Sequence, residues 1–126
     1  MIGLGFPGGI ALEIVSAVKV AIDIKPGSYP NSINLGSNGV VPVAILGSPT
    51  FNVADVDVQT VTFAGASPKM FAYEDVDSDG IPDLILHFYT QDLQLTSSST
   101  EATLTGRLKD GRSIVGTDSV RIVRTR

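Results

Sequence analysis

Residues Tyr73 to Phe88 read YEDVDSDGIPDLILHF, an acidic turn followed at once by an apolar run. Five acidic residues fall within ten consecutive positions of this stretch. The segments on both sides have the alternating character of β-strands, so the stretch predicts a β-hairpin. Like charges crowded into one turn repel each other, and a bound divalent cation would remove that cost.

The same period-two pattern extends outward from the hairpin. Val18–Lys25 (VKVAIDIK) predicts one half-buried strand with its valines and isoleucines on the inner face. Val40–Leu46 (VVPVAIL) is apolar on both faces like a central sandwich strand, whereas its Pro42 indicates an edge position or a bulge. Further short strands are predicted in VQTVTF, KMFAYE, DLILHFYT, EATLTGRL, RSIVG and SVRIVR. About eight such strands predict an all-β, antiparallel β-sandwich in one domain, residues 18–126.

Composition restricts the classes of function. A chain of 126 residues with 43% hydrophobic residues is long enough for one folded core. The net charge of −4 and the lack of a basic block argue against nucleic acid as a partner. No segment reaches the roughly 18 apolar residues of a membrane span. Without cysteine the chain has no disulfide, so a bound metal is one candidate for a stabilising clamp.

The first segment, Met1–Ala17, is apolar and rich in glycine. Glu13 interrupts its apolar run and no Lys or Arg precedes it, so we expect mature sequence, or the remainder of a trimmed segment, rather than a signal peptide. Three structures remain open: a short helix, a strand that continues into Val18–Ile24, or an arm that completes the sheet of a neighbouring subunit.

The acidic turn has the spacing of a calcium loop. Asp75 to Asp83 follow the pattern D-x-D-x-D-G-x-x-D, with carboxylates at odd positions and Gly80 sixth. Calcium takes six to eight oxygen ligands, magnesium requires a stricter octahedron, and zinc or copper favour nitrogen or sulfur ligands. The predicted calcium ligands are the side chains of Asp75, Asp77, Asp79 and Asp83 and the backbone carbonyl of Ile81. The alternative is a solvated acidic hairpin turn, since SDG is ordinary turn chemistry.

Two resemblances follow from these motifs. The loop resembles the calcium loops of integrin α-chain propellers, although one copy does not make a propeller. The order IDIKPGSYPNSINL, GVVPVAILGS, FNVADVDVQTVTF, EDVDSDGIPDLILHF resembles a module that recurs in secreted and surface-anchored proteins of bacteria and archaea. That resemblance covers roughly Val20 to Val123 and leaves Met1–Ala17 without a counterpart. It implies an extracellular, calcium-loaded β-domain appended to enzymes or adhesins.

Other side chains have simpler interpretations. Asp55 and Asp57 form a candidate second cation site, but exposed carboxylates at a strand entrance explain them better. His87, the single histidine, is expected to be structural, because no nucleophile motif accompanies it. Among the three tyrosines, Tyr29 is the best candidate for stacking on a sugar ring, with packing in its turn as the favoured role.

The sequence therefore favours a calcium-binding, non-enzymatic structural or adhesive module of an extracellular or cell-surface protein. One alternative is the subunit of an extracellular filament, assembled when Met1–Ala17 inserts into a neighbouring subunit. Another is a carbohydrate-binding module that recognises surface glycans. Neither catalytic residues nor an organic cofactor are expected, and Ca²⁺ is the predicted bound ion.

Overall fold

The computed structural model of the chain describes residues 17–123. The predicted arm Met1–Ala17, with its three alternative structures, lies outside the described residues except for Ala17. The described part contains ten strands and two 3₁₀ turns, Val53–Asp55 and Thr90–Asp92. The strands are β1 Val18–Lys19, β2 Ile22–Ile24, β3 Ser32–Asn34, β4 Val40–Ile45, β5 Val56–Phe63, β6 Met70–Glu74, β7 Asp83–Tyr89, β8 Glu101–Leu108, β9 Ser113–Ser119 and β10 Arg121–Val123.

Two four-stranded sheets form a β-sandwich, which confirms the predicted fold class. The first sheet has the order β1-β9-β8-β5, and the second has the order β2-β4-β7-β6. Pairing is antiparallel except between β1 and β9 and within the small sheet of β10 and β3. The structure has ten strands in its described part rather than about eight, because β3 is too short to predict and Val18–Lys25 is divided.

The predicted strand Val18–Lys25 passes from one sheet to the other. Its first part, β1, pairs with β9, and its second part, β2, pairs with β4. The prediction of one continuous strand was therefore wrong, although Val20, Ile22 and Ile24 are all buried as the alternation requires. A Cβ on Gly116 of β9 would lie 2.7 Å from the Val20 carbonyl oxygen, so only glycine permits this close crossing.

The core lies between the inner faces of the two sheets. On the second sheet, Val41, Val43 and Ile45 of β4 lie opposite Phe88, Leu86 and Leu84 of β7, and all six side chains are buried. Phe63 of β5 reaches across from the first sheet, and its ring centroid lies 5.3 Å from that of Phe88. Burial of each such side chain contributes about 1.5–3 kcal/mol, so this contact is a main link between the sheets.

Pro42 lies in a central strand, which corrects the predicted edge position or bulge. β4 pairs with β2 on one side and with β7 on the other in continuous register. Lys25 donates its amide to the Pro42 carbonyl at 2.8 Å, so the backbone of Pro42 faces the end of β2. Pro42 has no N–H to donate back to Lys25, and the Lys25 carbonyl accepts from the backbone amide of Ser28, at 3.0 Å. Proline is tolerated because the neighbouring strand ends where its missing N–H would have bonded.

No helix within residues 17–123 has the length and hydrophobicity needed to cross a membrane.

Candidate metal site

The acidic loop connects β6 to β7, as the sequence predicted. Glu74 pairs with Asp83 as the last pair of the ladder, and the loop extends between them. Gly80 has φ +83°, the left-handed conformation for which glycine was expected at the sixth position. Ser78 also has a positive φ of 61°, which the pattern did not reveal. Two such residues within three positions curl the chain tightly enough to bring alternate side chains to one point.

Four carboxylates converge in this loop. Asp75, Asp77, Asp79 and Asp83 each place a carboxylate oxygen so that all four atoms lie within 4.8 Å of one another. Three of the side chains are exposed, and Asp83 is completely buried. Within residues 17–123 this is the one group of three or more potential metal-ligating side chains that lies this close together.

Hydrogen bonds inside the loop maintain its curl. The Asp75 carboxylate accepts from the amide of Asp79 at 3.2 Å and from that of Gly80 at 2.8 Å. The Asp79 carboxylate accepts from the amide of Ile81 at 2.9 Å. Side-chain-to-backbone bonds of this kind are typical of Asp in turns, and they hold the carboxylates in place before any ion binds.

Asp83 connects the loop to the body of the sandwich. Its Oδ1 accepts from the Gly47 amide at 2.8 Å, and its Oδ2 accepts from the Val76 amide at 2.9 Å. Gly47 follows β4 and lies 36 residues away in the chain. A Cβ on Gly47 would collide with the carbonyl oxygen of Pro82, so glycine is required for this contact. Sequence reasoning missed Gly47, because no local pattern links it to the acidic motif.

The pKa values of two carboxyl groups in the loop are shifted in opposite directions. The hydrogen bond from the Gly80 amide lowers the pKa of Asp75 below its usual value. Partial desolvation in the loop, followed by the adjoining carboxylates of Asp79 and Asp83, raises the pKa of Asp77. The ionised form of Asp77 is thus disfavoured in the empty loop, and a cation placed among these oxygens would favour it.

The donor set fits a hard cation. Four carboxylates supply oxygen ligands only, and within residues 17–123 no histidine joins the group. The Ile81 carbonyl, the fifth predicted ligand, lies in the same loop, and its role as a ligand stays a prediction. The arrangement can therefore hold a metal ion, with further ligands left to water or backbone oxygens.

The candidate second cation site has no comparable cluster. Asp55 lies in a 3₁₀ turn and is exposed, and Asp57 lies on β5, where its carboxylate accepts from the Gln59 amide at 3.2 Å. Neither belongs to a group of three potential ligands within residues 17–123. Their positions agree with the interpretation as carboxylates at a strand entrance.

His87 lies on the outer face of the second sheet, between Pro42 and Met70. It lines a shallow cavity of about 430 Å³ together with Glu74 and Val76. Its Nδ1 atom is buried and has no hydrogen-bond partner among the described residues. In a Ser-His-Asp triad the histidine bonds an orienting carboxylate through Nδ1, and no such group bonds this atom within residues 17–123.

The three tyrosines do not form a common platform. Tyr73 faces the core side at the rim of the second sheet and is 45% exposed, whereas Tyr89 projects from the outer face opposite Val40. Tyr29, between β2 and β3, is 87% exposed. The favoured role of Tyr29 in turn packing is therefore wrong, because its ring is almost entirely in solvent.

A scan against protein-family models found no match, and neither the curated proteins nor the solved structures yielded a match to this chain.

Proposed function

We propose that the loop Asp75–Asp83 binds one Ca²⁺ ion and that the ion stabilises the sandwich. The observation that carries this proposal is the convergence of four carboxylates, of which the buried Asp83 also bonds the Gly47 amide. An ion bound here would hold both the hairpin loop and its connection to β4. Calcium would supply the positive charge that balances the carboxylates, and the fold of the loop positions these carboxylates around the ion.

Calcium suits the donor set better than other common metals. The ligands come from a hydrogen-bonded loop, with the backbone carbonyl of Ile81 as the predicted fifth donor, and calcium accepts such irregular, oxygen-rich geometry. Magnesium needs a near-ideal octahedron and retains water, and zinc or copper would favour nitrogen or sulfur donors. Binding to the folded state alone stabilises by mass action, about 2.7 kcal/mol when free calcium is one hundred times Kd.

We further propose that the chain works as a non-enzymatic structural or adhesive module of an extracellular or cell-surface protein. Two considerations support this role. Extracellular calcium modules bind their ion with a Kd of roughly 0.1–1 mM, a range that a mostly exposed loop can reach. The sequence order resembles a module of secreted bacterial and archaeal proteins.

The test is a series of thermal melts in calcium, in magnesium and in chelator. The parent chain is expected to gain melting temperature in calcium specifically, and the double variant Asp77→Ala with Asp79→Ala is expected to lose that gain. The matched control is Asp55→Ala with Asp57→Ala, which removes the same charge outside the loop and should keep the gain. Identical melts of the parent in all three conditions would show that the loop is a solvated turn.

A second candidate function is carbohydrate binding, which the exposure of Tyr29 favours. An aromatic ring that is 87% exposed is available to stack on a pyranose ring. Glycan-array binding that is lost in Tyr29→Ala would support this function. If the parent chain binds no plant, algal or bacterial polysaccharide on the array, this function is refuted.

A further inference from the structure

Among the edge strands of the two four-stranded sheets within residues 17–123, β6 lacks the features that usually protect a sheet edge. Natural sheets protect their edges with charged residues, bulges or very short strands. β1 and β2 are two and three residues long, with Lys19 in the first and Asp23 in the second. β5 carries Asp57, and its pairing with β8 contains a register shift. β6 has none of these features before its last residue, Glu74.

The exposed apolar side chains of β6 add to this open edge. Every residue of β6 is exposed, including Met70 at 60% and Phe71 at 50%. The Phe71 and Tyr73 rings contact each other edge to face, with centroids 6.0 Å apart. Lys69, just before the strand, directs its ammonium group toward the Tyr89 ring and so does not cover the middle of β6.

The hydrogen-bond pattern shows which backbone groups of β6 have no partner in the described part of the chain. The Thr90 amide donates to Gly39, so the even-numbered residues of β7 bond to β4 and the odd-numbered ones face β6. Ala72 lies opposite Ile85, and therefore bonds to β7. The N–H and C=O groups of Phe71 and Tyr73 consequently point away from the sheet, and no strand within residues 17–123 pairs with them.

We propose that β6 is a self-association surface, on which a second copy of this chain adds its own β6 in antiparallel register centred on Ala72. Phe71 of each copy then lies opposite Tyr73 of the other, so the free backbone groups form four hydrogen bonds and the four rings form one cluster. The two Ala72 residues face each other as a non-hydrogen-bonded pair across the two-fold axis.

Charge at the two ends of β6 selects this antiparallel arrangement. Lys69 precedes the strand, and Glu74 and Asp75 end it. The Lys69 ammonium group lies 3.7 Å from the Asp92 carboxylate of the same chain but is still 40% exposed. Antiparallel pairing places the Lys69 end of each copy beside the acidic end of the other, whereas parallel pairing would place carboxylate beside carboxylate. One pair of five-residue strands buries less than a standard interface of roughly 1,600 Å², so the dimer is expected to dissociate on dilution.

The absence of native cysteine permits a direct test of this register in the full-length chain. Two Ala72→Cys side chains would lie on Cα atoms about 4.5 Å apart, within the range that a disulfide spans. Tyr73→Cys places the same atoms about 8–9 Å apart, too far for a disulfide. Ala54→Cys is the matched control, since Ala54 is an exposed alanine far from β6 in the chain.

On mild oxidation, Ala72→Cys is expected to form a dimer of twice 13.2 kDa, at a rate roughly tenfold or more above either control, because pairing raises the effective thiol concentration. Adding Phe71→Lys to the Ala72→Cys variant should abolish this cross-link. Adding Tyr29→Lys to the same variant places the same charge on an exposed loop and should preserve the cross-link. Equal rates for Ala72→Cys and Ala54→Cys would overturn the proposal. Faster cross-linking of Tyr73→Cys than of Ala72→Cys would refute the register centred on Ala72. A cross-link that survives Phe71→Lys would refute β6 as the contact surface.

Discussion

Asp83 is predicted to stabilise the fold even without metal, whereas Asp77 is predicted to act through metal alone. The substitution Asp83→Asn keeps one acceptor oxygen and replaces the other with an amide group that cannot accept. One of the two backbone amides that now donate to Asp83 would then lose its acceptor: the buried amide of Gly47 or the partly buried amide of Val76.

The expected cost follows from these two contacts. A buried hydrogen bond to a charged group contributes about 1.5–3 kcal/mol, and an unsatisfied buried amide costs about 1–3 kcal/mol. Asp83→Asn should therefore lower the free energy of unfolding by about 2–4 kcal/mol in chelator. For a chain of this length each kcal/mol corresponds to roughly 4 °C, so the melting temperature should fall by roughly 8–16 °C.

Asp77→Asn is the matched comparison, with the same change of charge in the same loop. No described backbone amide donates to Asp77. Desolvation, followed by its neighbouring carboxylates, raises its pKa, so neutralising it removes an unfavourable charge. In chelator its melting temperature should equal or exceed that of the parent, while its calcium-dependent gain should be lost.

Chemical and thermal denaturation of both variants, each with calcium and with chelator, provides the assay. If Asp83→Asn melts like the parent in chelator, or Asp77→Asn loses as much stability there as Asp83→Asn, the division of roles drawn from these contacts is refuted.

Three further predictions concern residues around the loop and the sandwich. Gly47→Ala should cost about 1–3 kcal/mol in urea denaturation, because its Cβ would displace the Pro82 carbonyl; an unchanged midpoint would contradict the close approach. Asn31→Ala should cost about 2–3 kcal/mol, since the buried amide donates to the Asp118 carboxylate at 3.0 Å; a loss under about 0.5 kcal/mol would rule out a structural role. Burial, then the charge of Asp118, raises the pKa of Asp23 above its usual 3.8. The ionised form of Asp23 therefore destabilises the fold above that raised pKa, and the penalty disappears below 3.8. At neutral pH, Asp23→Asn should raise the free energy of unfolding by less than about 1 kcal/mol after solvent screening, and with it the melting temperature slightly. At about pH 3 the substitution should have no effect; equal gains at the two pH values would exclude an ionic cause.

The candidate site was largely predictable because its information is local. Asp75, Asp77 and Asp79 lie at alternate positions, and Gly80 supplies the turn that brings them together. A loop of nine residues needs no distant contact to define such a pattern. The contact between Asp83 and Gly47 was not predictable, because it joins residues 36 positions apart through a backbone amide that has no sequence signature.

For the fold, the sequence by itself determined which side chains face inward. Alternation identified Val20, Ile22 and Ile24 as buried, and it identified most of the ten described strands. Only the tertiary structure decided which strands are neighbours. It showed that the chain crosses between sheets after β1, that Pro42 is accepted in a central strand, and that β6 is an edge strand without protective features. The physical reason is that a period of two reports the face on which a side chain lies, whereas the partner of a strand depends on backbone hydrogen bonds between distant segments.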